Sequence, residues 1–214
     1  MGELFSGIIA WILLLIKTHS SLAVFLGVLI EEIIIPIPSP LILMAAGYIL
    51  LDSSLTLTQA LYQSFFIIAI PAAIAGTIGS FFAYYIGYYV RRGSKRYQDY
   101  VGIKKHHIKY LEKRMEKNSF AYIIVSRAII IIPMSFVSFV AGFLQLPKKK
   151  FAIATFIGSI PRALLLSMLG WYSGNTFFSV AEGLGLIENI ILLLIVFVIA
   201  FFLVRNIRKR IKMG

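Results

Sequence analysis

Two charged residues and two prolines lie at matching places inside the most apolar parts of this chain. A shift of 95 residues superimposes Glu32 on Arg127, Pro38 on Pro133, and Ala46-Gly47-Tyr48 on Ala141-Gly142-Phe143. A charge and a helix breaker are both costly in an apolar environment, so their recurrence in one register predicts an internal repeat. Repeated, proline-interrupted apolar segments are typical of transporters that build their site from broken helices.

Composition indicates an integral membrane protein. Of the 214 residues, 59% are hydrophobic, and the mean hydropathy is +0.89. The apolar run at residues 186–204 approaches the roughly 20 residues that cross a bilayer. The N-terminus lacks a basic region followed by a small-residue cleavage pattern, so we expect no cleaved signal. The chain has no cysteine, which excludes disulfides and thiolate chemistry.

The net charge of +12 is concentrated beside apolar segments. Of the 21 Lys and Arg residues, 18 fall in three clusters, with ten at 91–117, three at 148–150 and five at 205–212. This distribution predicts cytoplasmic loops, where each charge contributes about 1 kcal/mol to binding of anionic lipid head groups. No base-stacking or groove-reading motif accompanies the charge, so we expect no nucleic-acid partner.

The basic clusters also predict how the chain crosses the membrane. If residues 91–117 and 148–150 are both cytoplasmic, the apolar stretch at 120–146 enters and leaves on one side, as a re-entrant hairpin broken at Pro133. Residues 22–51, broken by three prolines between 36 and 40, form a second hairpin that dips from the outer face. The alternative is an ordinary bundle of proline-kinked spanning helices, which would place residues 148–150 outside.

We therefore expect one all-α polytopic membrane domain over residues 1–214, built as an inverted repeat of a re-entrant hairpin and a transmembrane helix. Its parts are an N-terminal helix at 4–20, a first repeat at 22–90, a basic cytoplasmic linker at 91–118, a second repeat at 119–174, and a C-terminal transmembrane helix with a basic tail at 186–214. The N-terminal helix either crosses as a short span or lies at the interface. The linker is an amphipathic helix that is either bound to the lipid surface or solvated.

Four ionisable residues fall inside the predicted apolar zone: Glu31, Glu32, Arg127 and Arg162. Each costs roughly 2.5–3.5 kcal/mol at the centre of a membrane helix unless it is paired or faces water, which makes it a candidate for function. In one interpretation, Glu32 and Arg127 pair across the repeat and hold the two hairpins together. In a second interpretation, the same residues form a binding site. The two roles are compatible if a ligand displaces one residue of the pair when it binds.

The residue types favour an anionic ligand and a proton. A guanidinium binds phosphate oxygens in a bidentate way, and helix ends at the hairpin tips favour an anion. A carboxyl group in a low-dielectric site can take up and release a proton near neutral pH. The predicted substrate-binding residues are Glu31, Glu32, Pro38, Arg127, Pro133, Ser135 and Arg162. Glu31 and Glu32 are the predicted proton-coupling residues, with Glu31 narrowly preferred.

The sequence offers no catalytic set. Histidines occur only at positions 19, 106 and 107, outside the apolar core, so no nucleophile–base pair is available there. No clustered aspartates could hold a divalent cation. We therefore expect no enzymatic activity, no cofactor and no metal site.

Three segments resemble the signatures of DedA-type membrane proteins, which share the VTT (SNARE-associated Golgi) domain. These segments are EEIIIPIPSP followed by AAGY, SRAIIIIPMSFVSFVAGF running into PKKKF, and GSIPRALLLSMLGWYSG. They cover roughly residues 22–174. The resemblance implies an inverted-repeat fold with two re-entrant hairpins, and movement of phospholipids or polyprenyl phosphates such as undecaprenyl phosphate across the cell membrane.

The family pattern transfers only in part. The family's acidic residue before the first proline falls on Glu31, whereas the internal repeat favours Glu32. The family's first arginine matches Arg127, while Pro40 replaces a later acidic residue and the stretch 133–135 replaces a second arginine.

The expected function is that of a flippase for an anionic lipid phosphate in the cell membrane. Its partners would be that lipid, either a polyprenyl phosphate or a phospholipid, and the bilayer itself; a homo-oligomer is left open. The alternatives are a passive phospholipid scramblase, an ion- or proton-coupled transporter of a small solute, and a non-transporting assembly factor.

Overall fold

The computed structural model describes residues 19–33, 39–94 and 118–176, with single helical residues and short helical runs between 179 and 201. The regular structure of these residues is helical, which confirms the predicted all-α class. The helices are α1 (19–33), α2 (Ser39–Leu50), α3 (Leu57–Ser64), α4 (Ile70–Ser94), α5 (118–128), α6 (Met134–Phe143) and α7 (Lys148–Ser173).

Several predicted segments lie outside the described residues. The N-terminal helix at 4–20 is outside except for its last two residues, and the linker at 91–118 is outside except for its ends. The predicted break of the first hairpin, including Pro38, is also outside. Of the predicted C-terminal helix at 186–214, the structure describes only separate helical residues up to 201.

Within the described ranges, two helical segments are long and apolar enough to cross a bilayer. One is Leu57–Gly93, 37 residues long, and the other is Lys148–Ser173, 26 residues long. In the first segment a π-helical turn at Phe65–Ala69 joins α3 to α4. The turn ends two residues before Pro71, whose missing N–H and bulky ring disturb regular α-helical hydrogen bonding.

The second half of the chain has a clear helix break. Helix α5 ends at residue 128, and α6 starts after Pro133, which has extended backbone angles (φ −60°, ψ 124°) at the N-cap. Proline suits the start of a helix because the first N–H groups have no partner within the helix. We call α1 with α2 the first helical unit, and α5 with α6 the second helical unit.

The two long helices run antiparallel. Near the start of the first, the Ser64 hydroxyl lies 2.5 Å from the Ser167 hydroxyl, close to the end of α7. Towards the end of α4, the ring of Tyr85 lies 4.9 Å from the ammonium group of Lys148, which begins α7. The start of each long helix is therefore next to the end of the other.

The connections that follow α2 and α6 lie at opposite ends of this helix pair. The indole N–H of Trp171 donates to the carbonyl of Asp52 at 2.9 Å, which fixes the loop at 51–56 beside the end of α7. The turn at 144–147 leads directly into α7 and so lies at its start. Each helical unit is thus attached to the bundle at a different end.

Four glycines let helices approach until their backbones touch. A Cβ on any of them would overlap a carbonyl oxygen of the facing helix: Gly47 with Ser167 at 1.9 Å, Gly170 with Met44 at 1.9 Å, Gly142 with Tyr84 at 1.8 Å, and Gly87 with Phe139 at 2.1 Å. Small residues at interfaces drive helix association in a membrane, where apolar burial alone cannot. Through these contacts α2 packs on α7, and α6 packs on α4.

The outer faces of the long helices are apolar. Ile74, Ile78 and Phe82 of α4 are exposed at four-residue spacing, and so are Ile153 and Ile157 of α7. Residues four apart share one face of a helix, so each set forms a continuous apolar strip. Apolar strips of this kind suit a hydrocarbon environment better than water.

Candidate functional site

The buried guanidinium of Arg127 is the centre of the candidate site. Its Nη1 donates to Glu32 Oε1 at 3.1 Å and lies 3.4 Å from the sulfur of Met134, and its Nη2 donates to the hydroxyl of Ser138 at 2.6 Å. The side chain of Arg127 has no exposed surface. The contacts connect the first helical unit to both arms of the second.

The ion pair lies near the middle of the bundle because two glycines admit its side chains. A Cβ on Gly79 of α4 would lie 2.6 Å from the Cβ of Glu32, and a Cβ on Gly158 of α7 would lie 2.8 Å from the Cβ of Arg127. Both glycines are in the central part of the long helices. Charges at this depth are expensive unless they are paired, so the ion pair is a candidate for function.

Both acidic residues are buried, but they differ in their relation to Arg127. Glu31 is 8% exposed and Glu32 is 4% exposed. Glu32, which the 95-residue register aligned with Arg127, is the residue that pairs with it. The family resemblance had matched the functional acid to Glu31 instead.

Arg162 is also buried, and its Nη1 binds the backbone of the helix break. It donates to the carbonyls of Ile129 at 3.0 Å and Ile132 at 3.2 Å, both in the segment between α5 and α6. Non-helical backbone inside a membrane needs such partners, because lipid offers none. Arg162 is within electrostatic range of Glu32 and Arg127, so it adds positive charge to the same region.

The remaining predicted site residues have different positions. Pro133 is buried at the N-cap of α6, next to the segment that Arg162 holds. Ser135 is half-buried in the first turn of α6. Pro38 lies outside the described residues.

Sequence reasoning did not identify Met134 and Ser138 as partners of Arg127. The Ser138 hydroxyl accepts from Arg127 and donates to the carbonyl of Met134 at 2.9 Å. A polar residue within an otherwise apolar arm was the available signal for Ser138. Nothing in the sequence distinguished Met134 from the other apolar residues of α6.

An apolar cavity of about 200 Å³ lies between the two arms of the second helical unit. Its walls include Tyr122, Ile123 and Ser126 of α5 and Phe136, Val137 and Val140 of α6. Ser126 immediately precedes Arg127, so the cavity adjoins the arm that carries the buried guanidinium. A polar site and an apolar cavity are therefore neighbours in one unit.

Comparison with known proteins identifies the family. The VTT domain matches residues 33–172. The chain is 31% identical over 212 residues to Undecaprenyl phosphate transporter A of Bacillus subtilis (strain 168). The aligned region covers 98% of this chain and 97% of that relative. No solved structure matches the chain. The resemblance predicted from the three sequence signatures is confirmed, and the chain belongs to the VTT domain family of membrane proteins, the DedA type.

Proposed function

We propose that this protein transports an anionic lipid phosphate across the cell membrane as a flippase, with a polyprenyl phosphate such as undecaprenyl phosphate as the preferred substrate. The observation that carries the proposal is the buried ion pair of Arg127 with Glu32 at 3.1 Å, in the middle of the bundle. A phosphate can take the place of the Glu32 carboxylate, since both are anionic oxygen acceptors that suit a guanidinium. The name of the Bacillus subtilis relative supports the choice of lipid.

The proposed mechanism exchanges one anion for another at Arg127. When Glu32 takes up a proton, it loses its charge, and Arg127 becomes available to a phosphate group. Loss of the phosphate and release of the proton then restore the ion pair. Transport is thereby linked to protons, and because no bond of the lipid is made or broken, the protein acts as a transporter rather than an enzyme.

The hydrocarbon chain of the lipid needs an apolar path beside this site. The cavity of about 200 Å³ between α5 and α6 supports such a path, because apolar side chains line it and it adjoins the arm of Arg127. A head group at Arg127 would then place the first carbons of its chain against α6.

We further propose that the two helical units are re-entrant hairpins of an inverted repeat, with the basic segments and the C-terminus in the cytoplasm. The attachment of the units at opposite ends of the antiparallel long helices supports this arrangement. The glycine contacts support it as well, because Met44 and Gly47 of α2 and Phe139 and Gly142 of α6 are in the 95-residue register.

The transport proposal is tested with purified protein in liposomes and labelled polyprenyl phosphate. Arg127→Lys keeps the charge but loses the planar fork, so we expect transport to fall at least about tenfold. Arg92→Lys, the same change at an exposed position near the end of α4, is the matched control and should transport normally.

Three results would contradict parts of the proposal. Normal transport by Arg127→Lys would exclude bidentate phosphate recognition. Transport by the wild type that ignores a pH gradient would indicate a passive scramblase. No movement of polyprenyl phosphate by the wild type, with movement of another solute, would indicate a small-solute transporter.

The orientation is tested by labelling single cysteines in this cysteine-free chain. Ser54→Cys lies in the loop at 51–56, and Ser94→Cys lies at the other end of the long segment that starts at Leu57. We expect a membrane-impermeant thiol reagent to reach the two positions from opposite sides of the membrane. Labelling of both from one side would rule out the proposed topology.

A further inference from the structure

Two hydroxyl groups buried in α7 have no hydrogen-bond partner among the residues that the structure describes. These are Thr155 Oγ1 and Ser159 Oγ, in residues that are 0% and 5% exposed. Other helical hydroxyls of the described chain donate to their own helix: Thr77 to Ala73, Ser126 to Tyr122, Ser138 to Met134, and Ser167 to Leu164. Burying a hydroxyl without a hydrogen-bond partner costs free energy, so the missing hydrogen bonds of Thr155 and Ser159 require an explanation.

Residue spacing along α7 places the first of these hydroxyls on the helix face that meets the side chain of Arg127. That side chain starts against Gly158, where an added Cβ would lie 2.8 Å from the Cβ of Arg127. Its guanidinium carbon is 6.0 Å from the ring centroid of Phe151. Thr155 is four residues after Phe151 and three before Gly158, so it occupies the same face of α7 between them. The Nε of Arg127 is likewise buried without a partner.

The second hydroxyl extends this row towards Arg162. Ser159 is one helical turn after Thr155, and Arg162 is three residues after Ser159, so the three side chains follow one face of α7. Arg162 is held in place by the carbonyls of Ile129 and Ile132. The face of α7 that meets Arg127 and carries Arg162 therefore also carries these two hydroxyls.

We propose that Thr155 and Ser159, together with the Nε–H of Arg127, form a subsite that donates hydrogen bonds to the phosphate of the transported lipid and selects a monoester over a diester. Hydroxyls can also accept hydrogen bonds, but the adjacent guanidinium groups disfavour a cation at this place. This inference rests on the proposed function, because it requires the phosphate to reach Arg127.

The selectivity follows from the number of oxygens to be satisfied. A phosphate monoester has three terminal oxygens and a diester has two. The two Nη groups of Arg127 can bind two oxygens as a fork. The third oxygen, which only the monoester has, needs further donors, and the hydroxyls of Thr155 and Ser159 supply them.

A substrate role and a structural role predict opposite effects on the lipid-free protein. Removing an unpaired buried hydroxyl takes away a group that folding leaves unsatisfied, so Thr155→Val and Ser159→Ala should keep or raise the midpoint of thermal unfolding. The same substitutions should weaken lipid binding, because the phosphate loses a charge-assisted hydrogen bond. A hydroxyl needed for folding would instead lower the midpoint when removed.

The experiment measures binding of labelled polyprenyl monophosphate to the full-length protein in nanodiscs of neutral lipid, with a polyprenyl phosphodiester as the comparison ligand. We expect Thr155→Val and Ser159→Ala each to raise the Kd of the monoester about tenfold and the Kd of the diester by less than about twofold. Thr155→Ser should keep the wild-type Kd. The matched controls are Thr77→Val and Ser80→Ala, whose hydroxyls bond their own helix, and both should bind normally.

The outcomes separate this inference from the proposed function. Normal monoester binding by Thr155→Val and Ser159→Ala, with a wild type that binds, overturns the subsite and leaves the proposed function standing. Equal losses for monoester and diester overturn the selectivity, and lowered unfolding midpoints overturn the assignment of the hydroxyls to substrate. A wild type that binds no polyprenyl monophosphate overturns the proposed function itself.

Discussion

The two helical units of this protein pack against the long helices in the same way but carry opposite charges. Gly47 in the first unit and Gly142 in the second both meet the backbone of a facing long helix, and they stand 95 residues apart. At that same spacing the first unit carries Glu32 and the second carries Arg127. The two units therefore share the same backbone-to-backbone packing contacts, but they differ in the side chains that they contribute to the candidate site.

The two charged residues also differ in how many hydrogen-bond partners they have. Arg127 has two further partners from its own unit, Met134 and Ser138. Glu32 bonds Arg127 through one carboxylate oxygen, and its other oxygen is buried without a hydrogen-bond partner in the described part of the chain. Arg127 is therefore held by more contacts than Glu32, which supports the proposal that a ligand takes the place of the Glu32 carboxylate.

The difference between Arg127 and Glu32 is tested first by substitution of Arg127, which should have the largest effect on stability. Arg127→Met leaves the Glu32 carboxylate buried without its partner, which should cost about 3–5 kcal/mol of stability. Glu32→Gln should cost less, because Arg127 keeps Ser138 and Met134. The midpoint of thermal unfolding in detergent measures both.

The double variant Arg127→Met with Glu32→Gln is the control for this comparison. It removes both charges, so it should recover most of the stability lost by Arg127→Met alone. Equal losses for Arg127→Met and Glu32→Gln would contradict the unequal roles.

A smaller effect should be the same in both units. Gly47→Ala and Gly142→Ala each place a Cβ less than 2 Å from a backbone carbonyl oxygen, at 1.9 Å and 1.8 Å. The helices must separate, so we expect each change to lower stability by about 1–3 kcal/mol. Gly93→Ala, where a Cβ meets nothing within 4 Å, should have no such effect. If the unfolding midpoint falls for a substitution in only one unit, the two units do not pack in the same way.

The smallest expected change concerns coupling rather than stability. Sequence reasoning preferred Glu31 as the proton carrier, but the contact of Glu32 with Arg127 leads us to expect that Glu32 carries the proton. Glu32→Gln should abolish the effect of a pH gradient on transport of labelled polyprenyl phosphate, and Glu31→Gln should retain it. The reverse result would assign the proton to Glu31.

The sequence predicted those features that a single residue or the repeat register determines. Proline lacks an N–H, so Pro133 predicted a helix break at its own position. The register aligned Glu32 with Arg127, and the two residues meet in the folded chain. Membership of the family also followed from local motifs.

Other features depend on how far a helix rotates about its axis, which no local pattern specifies. The sequence did not predict that the Nη1 of Arg162 points at the carbonyls of Ile129 and Ile132. Nor did it distinguish Thr155 from the hydroxyl residues that bond their own helix. The contacts of Arg162 and the unpaired hydroxyl of Thr155 both depend on which face of α7 packs against the second helical unit.

The turn between α6 and α7 has a mechanical consequence. The amide of Leu146 donates to the carbonyl of Ala141 at 3.0 Å, Gln145 has a positive φ of 54°, and Pro147 then starts α7. Such a hydrogen-bonded helix end has little freedom to bend. We therefore expect α6 and α7 to move as one body, which carries Ser138 and Thr155 together.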